Sequence, residues 1–337
     1  MNLAPIHIFA LLYQETKNEK YLAFSREIEK DLSLPEAGNY MEYARNGTPF
    51  YQCPKPRWES MHIIMGIAEM YRATGEEKYK TSAEQIFRSI LQTDIHNTGA
   101  FSTDEQAVGT PFKKGNIELC CVIAYNALAC SLFRITGDPA IADFLELSFY
   151  NAVMGSFSPS GRWSTYNTPM EGEKDANHHS IWFQCRPGSP ELNCCSANAA
   201  RGIGMLTEWA VTEQDETVYL NYFGPFSCQT TNGLTMIVTG DYPASGEVTV
   251  LLRSKKPQKV AIRIPAWSKN TVITIGKKSF SPPAGTYFLL EQLPEEKIQI
   301  RFDFSLRTLK GEEDFAGKHS LYYGPILYGY DLSEKNG

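Results

Sequence analysis

The 337 residues, 42% hydrophobic and 21% charged, have ordinary globular composition and enough length for two domains. A net charge of −6, with no lysine or arginine run longer than a pair, argues against a nucleic-acid partner and leaves a neutral or small polar substrate as the expectation. No uninterrupted apolar stretch approaches the roughly 20 residues of a bilayer span, and Met1 to Lys20 lacks the basic start and apolar centre of a signal peptide, so a cytoplasmic protein with no membrane partner is expected.

Three early segments share one pattern: Leu11-Leu12-Tyr13-Gln14-Glu15-Thr16-Lys17-Asn18, Glu69-Met70-Tyr71-Arg72-Ala73-Thr74-Gly75-Glu76 and Ser131-Leu132-Phe133-Arg134-Ile135-Thr136-Gly137-Asp138. Each ends an apolar helical run with an aromatic, then threonine, then a turn, and the threonines recur at intervals of roughly 60 residues, which suits an array of helix hairpins. The helical period resumes after these turns, over Lys78 to Leu91 and over Pro139 to Val153. Gly115-Asn116 marks a break before a helix through Val122 to Phe133, and Ala199 to Val211 reads as a further helix. A helical toroid is therefore predicted. Only about three or four hairpins are visible, so an incomplete (α/α)6 barrel is expected, one that pairs with another chain or belongs to a longer protein.

Near Thr217 the period changes from that of a helix to that of a strand. Val248, Val250 and Leu252, then Val260, Ile262 and Ile264, then Ile298, Ile300, Phe302 and Phe304 occupy alternate positions, the mark of half-buried strands. Turn-rich breaks at Thr231-Asn232-Gly233, Pro243-Ala244-Ser245-Gly246 and Ser281-Pro282-Pro283-Ala284-Gly285 separate them, as in an antiparallel β-sandwich. The fold class is α+β multidomain. The boundary falls near Glu213, with the toroid over 1–213 and the sandwich over 214–337.

The 8 cysteines are too sparse for a disulfide scaffold in a chain this long, so reduced thiols, some on a metal, are expected. Glu118-Leu119-Cys120 and the adjacent pair Cys194-Cys195 together offer three thiols and a carboxylate, a set that can fill a tetrahedral Zn2+ shell. Adjacent cysteines rarely bridge to each other, because the small ring strains the peptide between them. Glu118 and Cys120 are two apart and would point to opposite sides of a regular helix, so they can share a metal only in an irregular stretch or a loose first turn. The competing reading makes Cys120 and Cys121 small core residues and Glu118 a first-turn carboxylate favoured by the helix dipole. Cys185 is a third nearby thiol that could replace one ligand. His178-His179 in a polar loop could reach a cleft and the tryptophans Trp163 and Trp182 could stack on a ligand ring, although loop and core roles explain them better.

Taken in order, Glu118-x-Cys120, Glu146-x-x-x-Tyr150-Asn151, Tyr166-Asn167-x-Pro169 and Cys194-Cys195-x-x-Asn198-x-x-Arg201 resemble the core of glycoside hydrolase family 127, the β-L-arabinofuranosidase superfamily. Ile262-Arg263-Ile264-Pro265-Ala266-Trp267-Ser268 and Tyr323-Gly324-Pro325-Ile326-Leu327-Tyr328 resemble its β-sandwich. The resemblance runs from about Trp58 onward. It implies a zinc-dependent retaining glycosidase with a carbohydrate substrate. Glu118, Cys120, Cys194 and Cys195 match the family's metal ligands, Cys194 its nucleophile, Glu105 its acid/base with Asp104 as rival, and Glu146 and Tyr166 its sugar-contacting positions. Two departures stand out. Thr48 to Lys55 holds no histidine where the family places one, and Ser196-Ala197 replaces paired prolines. The alternative is a non-catalytic carbohydrate-binding or zinc-stabilised remnant of such an enzyme, and a thiol-based redox or zinc-storage protein stands behind both. The expected partners are a glycan and either a second copy of the chain or a completing N-terminal half.

Overall fold

The computed structural model describes residues 3–171, 174, 194–292 and 295–329. Two compact units emerge. One comprises Met1–Gly137, Asn151–Met205 and Glu312–Ala316, and the other Asp138–Tyr150, Leu206–Gly311 and Gly317–Gly337.

The first unit is helical. It holds α1 (Pro5–Thr16), α2 (Glu19–Leu32), α3 (Tyr40–Arg45), α4 (Ser60–Thr74), α5 (Glu77–Thr93), α6 (Leu119–Thr136) and α8 (Cys194–Gly204). The second unit takes α7 (Pro139–Ser148) and the short α9 (Leu206–Trp209). The repeated threonine pattern proves to be a helix ending. Thr16, Thr74 and Thr136 each close a helix and donate a hydroxyl hydrogen bond to the carbonyl four residues back, at 2.7, 2.8 and 2.9 Å. The next residue in each case, Lys17, Gly75 or Gly137, turns left-handed at φ 54°, 73° or 61° and donates its N–H to the backbone carbonyl of the motif's aromatic residue, Tyr13, Tyr71 or Phe133. Asn18 and Asp138 then cap the following helices by accepting from Lys20 N and Ala140 N. Between α1 and α2 and between α4 and α5, which pack on each other, the pattern encodes a chain reversal.

Within this unit α1 packs on α2 and α4, α4 on α5 and α6, and α6 on α8. Every residue of α6 from Leu119 to Phe133 is buried. By length and composition α6 could cross a membrane, but its burial marks it as the central core helix. Gly66 lets α1 approach α4, since a Cβ there would lie 2.8 Å from the His7 backbone nitrogen.

The second unit is built of strands. It comprises β3 (Val211–Gln214), β4 (Thr217–Leu220), β5 (Phe226–Gln229), β6 (Thr235–Gly240), β7 (Glu247–Arg253), β8 (Gln258–Ile264), β9 (Val272–Ile275), β10 (Lys278–Phe280), β11 (Thr286–Gln292), β12 (Glu295–Arg301), β13 (Leu306–Lys310), β14 (His319–Tyr323) and β15 (Ile326–Tyr328). A six-stranded sheet in the order β10-β9-β12-β7-β6-β5 and a four-stranded sheet in the order β11-β8-β4-β3 share one core, in which Val238, Val250 and Ile298 of the first meet Val218, Val260 and Ile262 of the second. A three-stranded sheet follows, β13-β14-β15. The expected helical part followed by antiparallel sheets is thus present, with one parallel exception, β4 against β8. Two short strands, β1 (Asn116–Glu118) and β2 (Asn167–Pro169), pair within the helical unit.

Three expectations about elements change. The helix predicted over Ala199 to Val211 breaks at Met205, and Val211 already opens β3. The helix from Pro139 gives way at Phe149–Val153 to a π-helical turn. The predicted alternation of β8 disappears into burial, because Val260 to Ile264 are all buried; Arg263, on the face away from the sandwich core, is covered by α7. The separation into units is also not a single cut near Glu213, since α7 joins the strands.

Candidate active site

The site starts at a strand-to-helix junction. Glu118 ends β1, paired across from Asn167 of β2, and is at the same time the N-cap of α6, with extended backbone at φ −76° and ψ 130°. Its carboxylate makes no capping bond, so it remains available as a ligand. The change from strand to helix within two residues turns Glu118 and Cys120 to the same side, which a regular helix forbids. The Leu119 N–H donates to the Tyr166 carbonyl at 2.9 Å and pins the junction.

The other half of the site lies on α8, packed against α6. The Sγ atoms of Cys120, Cys194 and Cys195 and a Glu118 carboxylate oxygen all lie within 4.8 Å of one another. The Cys120 and Cys195 sulfurs stand 3.1 Å apart, well beyond the ~2.05 Å of a disulfide bond. The Cys195 thiol points at Glu118 Oε1 from 3.9 Å. Asn198, one turn along α8 from Cys194, donates its amide to the Cys120 sulfur at 3.2 Å. Glu118, Cys120 and Cys195 are 2%, 2% and 0% exposed, whereas Cys194 is exposed. Four donors this close fit one tetrahedral ion, whose shell would set them about 3.5–3.8 Å apart. The group can therefore hold a metal ion.

The electrostatics follow from this crowding. Hydrogen bonds from Cys120 and Cys195, with a further one from the Tyr166 phenol, pull the Cys194 thiol far below the ordinary cysteine range. Burial first, and then the neighbouring sulfurs, pushes Cys195 up. Burial and the nearby Glu105 charge lift the Glu118 carboxyl to about 7. Tyr166 is 5% exposed, and burial followed by its bond to Cys194 keeps its phenol protonated.

Glu105 reaches Glu118 from a tight turn. Thr103 and Gln106 exchange backbone hydrogen bonds of 3.0 and 3.1 Å around Asp104 and Glu105, whose φ angles are 48° and 69°. Positive φ at both central residues belongs to the two-residue hairpin class that normally selects Asn-Gly. Ser102, just before it, has φ 83°. Non-glycine residues hold such angles only where the surroundings dictate them, a pattern concentrated at functional sites. Here Arg57 pairs with Glu105 at 2.6 Å, and the Trp58 N–H donates to the Glu105 carbonyl at 3.3 Å. Asp104 is spent on the scaffold, accepting from Asn116 N at 2.9 Å, and a Cβ on Gly115 would lie 2.8 Å from its Oδ2.

Glu146 belongs to the strand unit. It is 1% exposed; its Oε1 accepts from Tyr242 at 2.6 Å and Arg263 at 2.7 Å, and its Oε2 from Trp267 at 3.0 Å. Every oxygen of the predicted sugar contact is engaged by protein. Cys185, His178, His179 and Trp182 lie outside the described residues. Arg57 was missed by sequence reasoning, since it belongs to no motif; His96 reads from sequence as a surface or satisfied core histidine, and Asn198 was signalled only by its place in the motif that begins at Cys194.

Residues 6–208 match the profile of the β-L-arabinofuranosidase GH127 catalytic domain, and residues 217–306 that of the GH127 middle domain. No curated protein matches the chain. Among solved structures, a glycoside hydrolase superposes with a TM-score of 0.76 at 21% identity, covering 95% of this chain and 59% of its own. A GH127 β-L-arabinofuranosidase from Geobacillus stearothermophilus T6 gives 0.74 at 18%, covering 95% and 57%. Another GH127 β-arabinofuranosidase gives 0.76 at 18%, covering 95% and 54%. This chain thus spans less than three-fifths of the length of these structures. With its sequence matched by both GH127 profiles over most of its length and its fold shared with these structures, the chain belongs to the GH127 β-L-arabinofuranosidase family.

Proposed function

We propose that this chain is the catalytic and middle part of a zinc-dependent, retaining, β-L-arabinofuranosidase-like glycoside hydrolase, with Cys194 as nucleophile and Glu105 as acid/base. One observation carries the reading: of four convergent residues able to ligate a metal, three are buried and one, Cys194, is exposed. A purely structural zinc site has no need of an exposed ligand. Glu118, Cys120, Cys194 and Cys195 would hold Zn2+, which when bound keeps thiolates ionised at neutral pH and makes sulfur a better leaving group.

Retention needs a nucleophile and a proton donor on opposite sides of the anomeric carbon. In the first step the Cys194 sulfur bonds to that carbon, the bond to the leaving oxygen breaks, and the Glu105 carboxyl proton passes to that oxygen. In the second step the Glu105 carboxylate takes a proton from water, the water oxygen bonds to the same carbon, and the carbon–sulfur bond breaks to restore the Cys194 thiolate. The Tyr166 phenol orients the sulfur by donating to it, and Arg57 anchors the Glu105 carboxylate. Asp104, engaged with Asn116, is the weaker candidate for the acid/base.

The test is zinc content by elemental analysis together with hydrolysis of p-nitrophenyl β-L-arabinofuranoside, on the full chain and on Cys194→Ala. About one zinc per chain and hydrolysis abolished in the variant are expected. Zinc without hydrolysis in the unmodified chain would favour the binding or structural alternative, and a chain without zinc would refute the ligand assignment.

A further inference from the structure

The turn that carries Glu105 is not stable by local preference, so something outside it must impose its shape. Two buried side chains at the end of α5 face it. Asp94, 2% exposed, accepts from the backbone of Val108 and, at 2.9 Å, of Gly109. His96, 5% exposed, sits between the two arms of the loop. Its Nδ1 lies 2.9 Å from the Pro111 carbonyl, and its Nε2 lies 3.0 Å from the Ser102 carbonyl and 3.2 Å from the Thr103 hydroxyl. A neutral ring has one N–H, so Nδ1–H donating to the Pro111 carbonyl leaves Nε2 to accept from the Thr103 hydroxyl, and the ring ties Pro111 on one arm to Thr103, the residue that follows the left-handed Ser102 and opens the turn around Asp104 and Glu105. Its own backbone is fixed by a 2.9 Å bond to the Ala100 carbonyl. The ring is rigid, and both its nitrogens face hydrogen-bonding groups whose separation decides where the turn stands.

We propose that His96 is a positioning residue for Glu105: by bridging the Pro111 and Ser102–Thr103 arms it holds the left-handed turn in the one arrangement that aims the Glu105 carboxylate at the leaving oxygen. His96 touches neither the sulfur cluster nor the reacting atoms. The inference rests on the acid/base reading of Glu105 and adds what makes that reading geometrically possible. General acid catalysis depends on placement to within a fraction of an ångström, so a loosened turn forfeits proton donation before it forfeits nucleophilic attack.

That difference gives the experiment. The full chain, His96→Ala, His96→Gln, Thr103→Val and Glu105→Ala would be compared on two β-L-arabinofuranosides, one with an alkyl leaving group that needs protonation and one with a dinitrophenyl group that does not. Expected for His96→Ala is a kcat loss of about tenfold or more on the alkyl glycoside, and less than about threefold on the dinitrophenyl one, a milder copy of Glu105→Ala. His96→Gln, which keeps a planar donor and acceptor, should recover part of the alkyl rate. Thr103→Val, in which the histidine remains, should show the same selective loss even if His96→Ala folds poorly. Equal losses on both substrates, or none, in folded His96 and Thr103 variants would overturn the proposal while leaving Glu105 in its role. Equal losses in Glu105→Ala itself would overturn the acid/base reading, and this inference with it.

Discussion

Cys194 and Cys195 are neighbours in the chain but not in environment: the first is exposed and the second fully buried, with opposite shifts in acidity. A substitution at each should therefore have a different signature. Cys194→Ser is expected to keep a folded chain and lose hydrolysis by more than a hundredfold, whereas Cys195→Ser should lose bound metal and stability together, read by elemental analysis and thermal unfolding. The two acid/base candidates separate similarly. Glu105→Gln should lose activity about a hundredfold or more on glycosides with poor leaving groups. Asp104→Asn should retain activity, because asparagine tolerates φ 48° and keeps the oxygen that accepts from Asn116. His96 gives a pH dependence away from the cluster of Glu118, Cys120, Cys194 and Cys195. Burial lowers its pKa, only partly opposed by the Ser102 and Pro111 carbonyls, which favour a charged ring, and by the Asp94 charge, so the folded state favours the neutral ring. The unfolded chain then binds more protons below about pH 6.5, and this contribution to stability, complete above that value, declines as pH falls through the folded pKa. His96→Gln should flatten the thermal midpoint between about pH 7 and 5 relative to the unsubstituted chain.

Among the elements, α8 must approach α6 closely enough for Cys195 to meet Cys120. Gly202 permits this. A Cβ there would stand 2.5 Å from Ile123 Cδ1 and 2.8 Å from Val153 Cγ1. Alanine would gain about 1 kcal/mol of helix propensity but overpack the contact, so Gly202→Ala is expected to cost a net of about 1–2 kcal/mol in urea denaturation and to weaken metal retention. An alanine variant as stable as the parent would show that α8 has room to shift. The helix endings at Thr16, Thr74 and Thr136 were legible because everything they need lies within five residues. The junction at Glu118 was half legible: Gly115-Asn116 signalled a break, but the strand that aligns Glu118 with Cys120 exists only because Asn167–Pro169 pairs with it. No local pattern announces a three-residue strand whose partner is some fifty residues away.

For the molecule as a whole, α7 is the element whose neighbours only the fold decides. It belongs with the strands, where Asp143 and Glu146 meet the fully buried Arg263 of β8. Burial works against the Arg263 cation, and the two carboxylates more than offset it, holding the arginine charged. Arg263→Met would leave two carboxylates buried without their partner and is expected to destabilise the chain by about 3–5 kcal/mol in chemical denaturation. A cost below about 1 kcal/mol would mean that water reaches the pair. The sequence by itself determined the candidate donors Glu118, Cys120, Cys194 and Cys195, the change from helices to strands and the turns between helices, because each depends on residue chemistry or on contacts within a few positions. Only the tertiary structure decided that those four converge with Cys194 exposed and Cys195 buried, that Glu105 rides a left-handed turn backed by His96, and that Glu146 is held by Arg263, Tyr242 and Trp267. Those outcomes depend on which distant segments meet, and a buried carboxylate takes its role from whichever donors the fold brings to it.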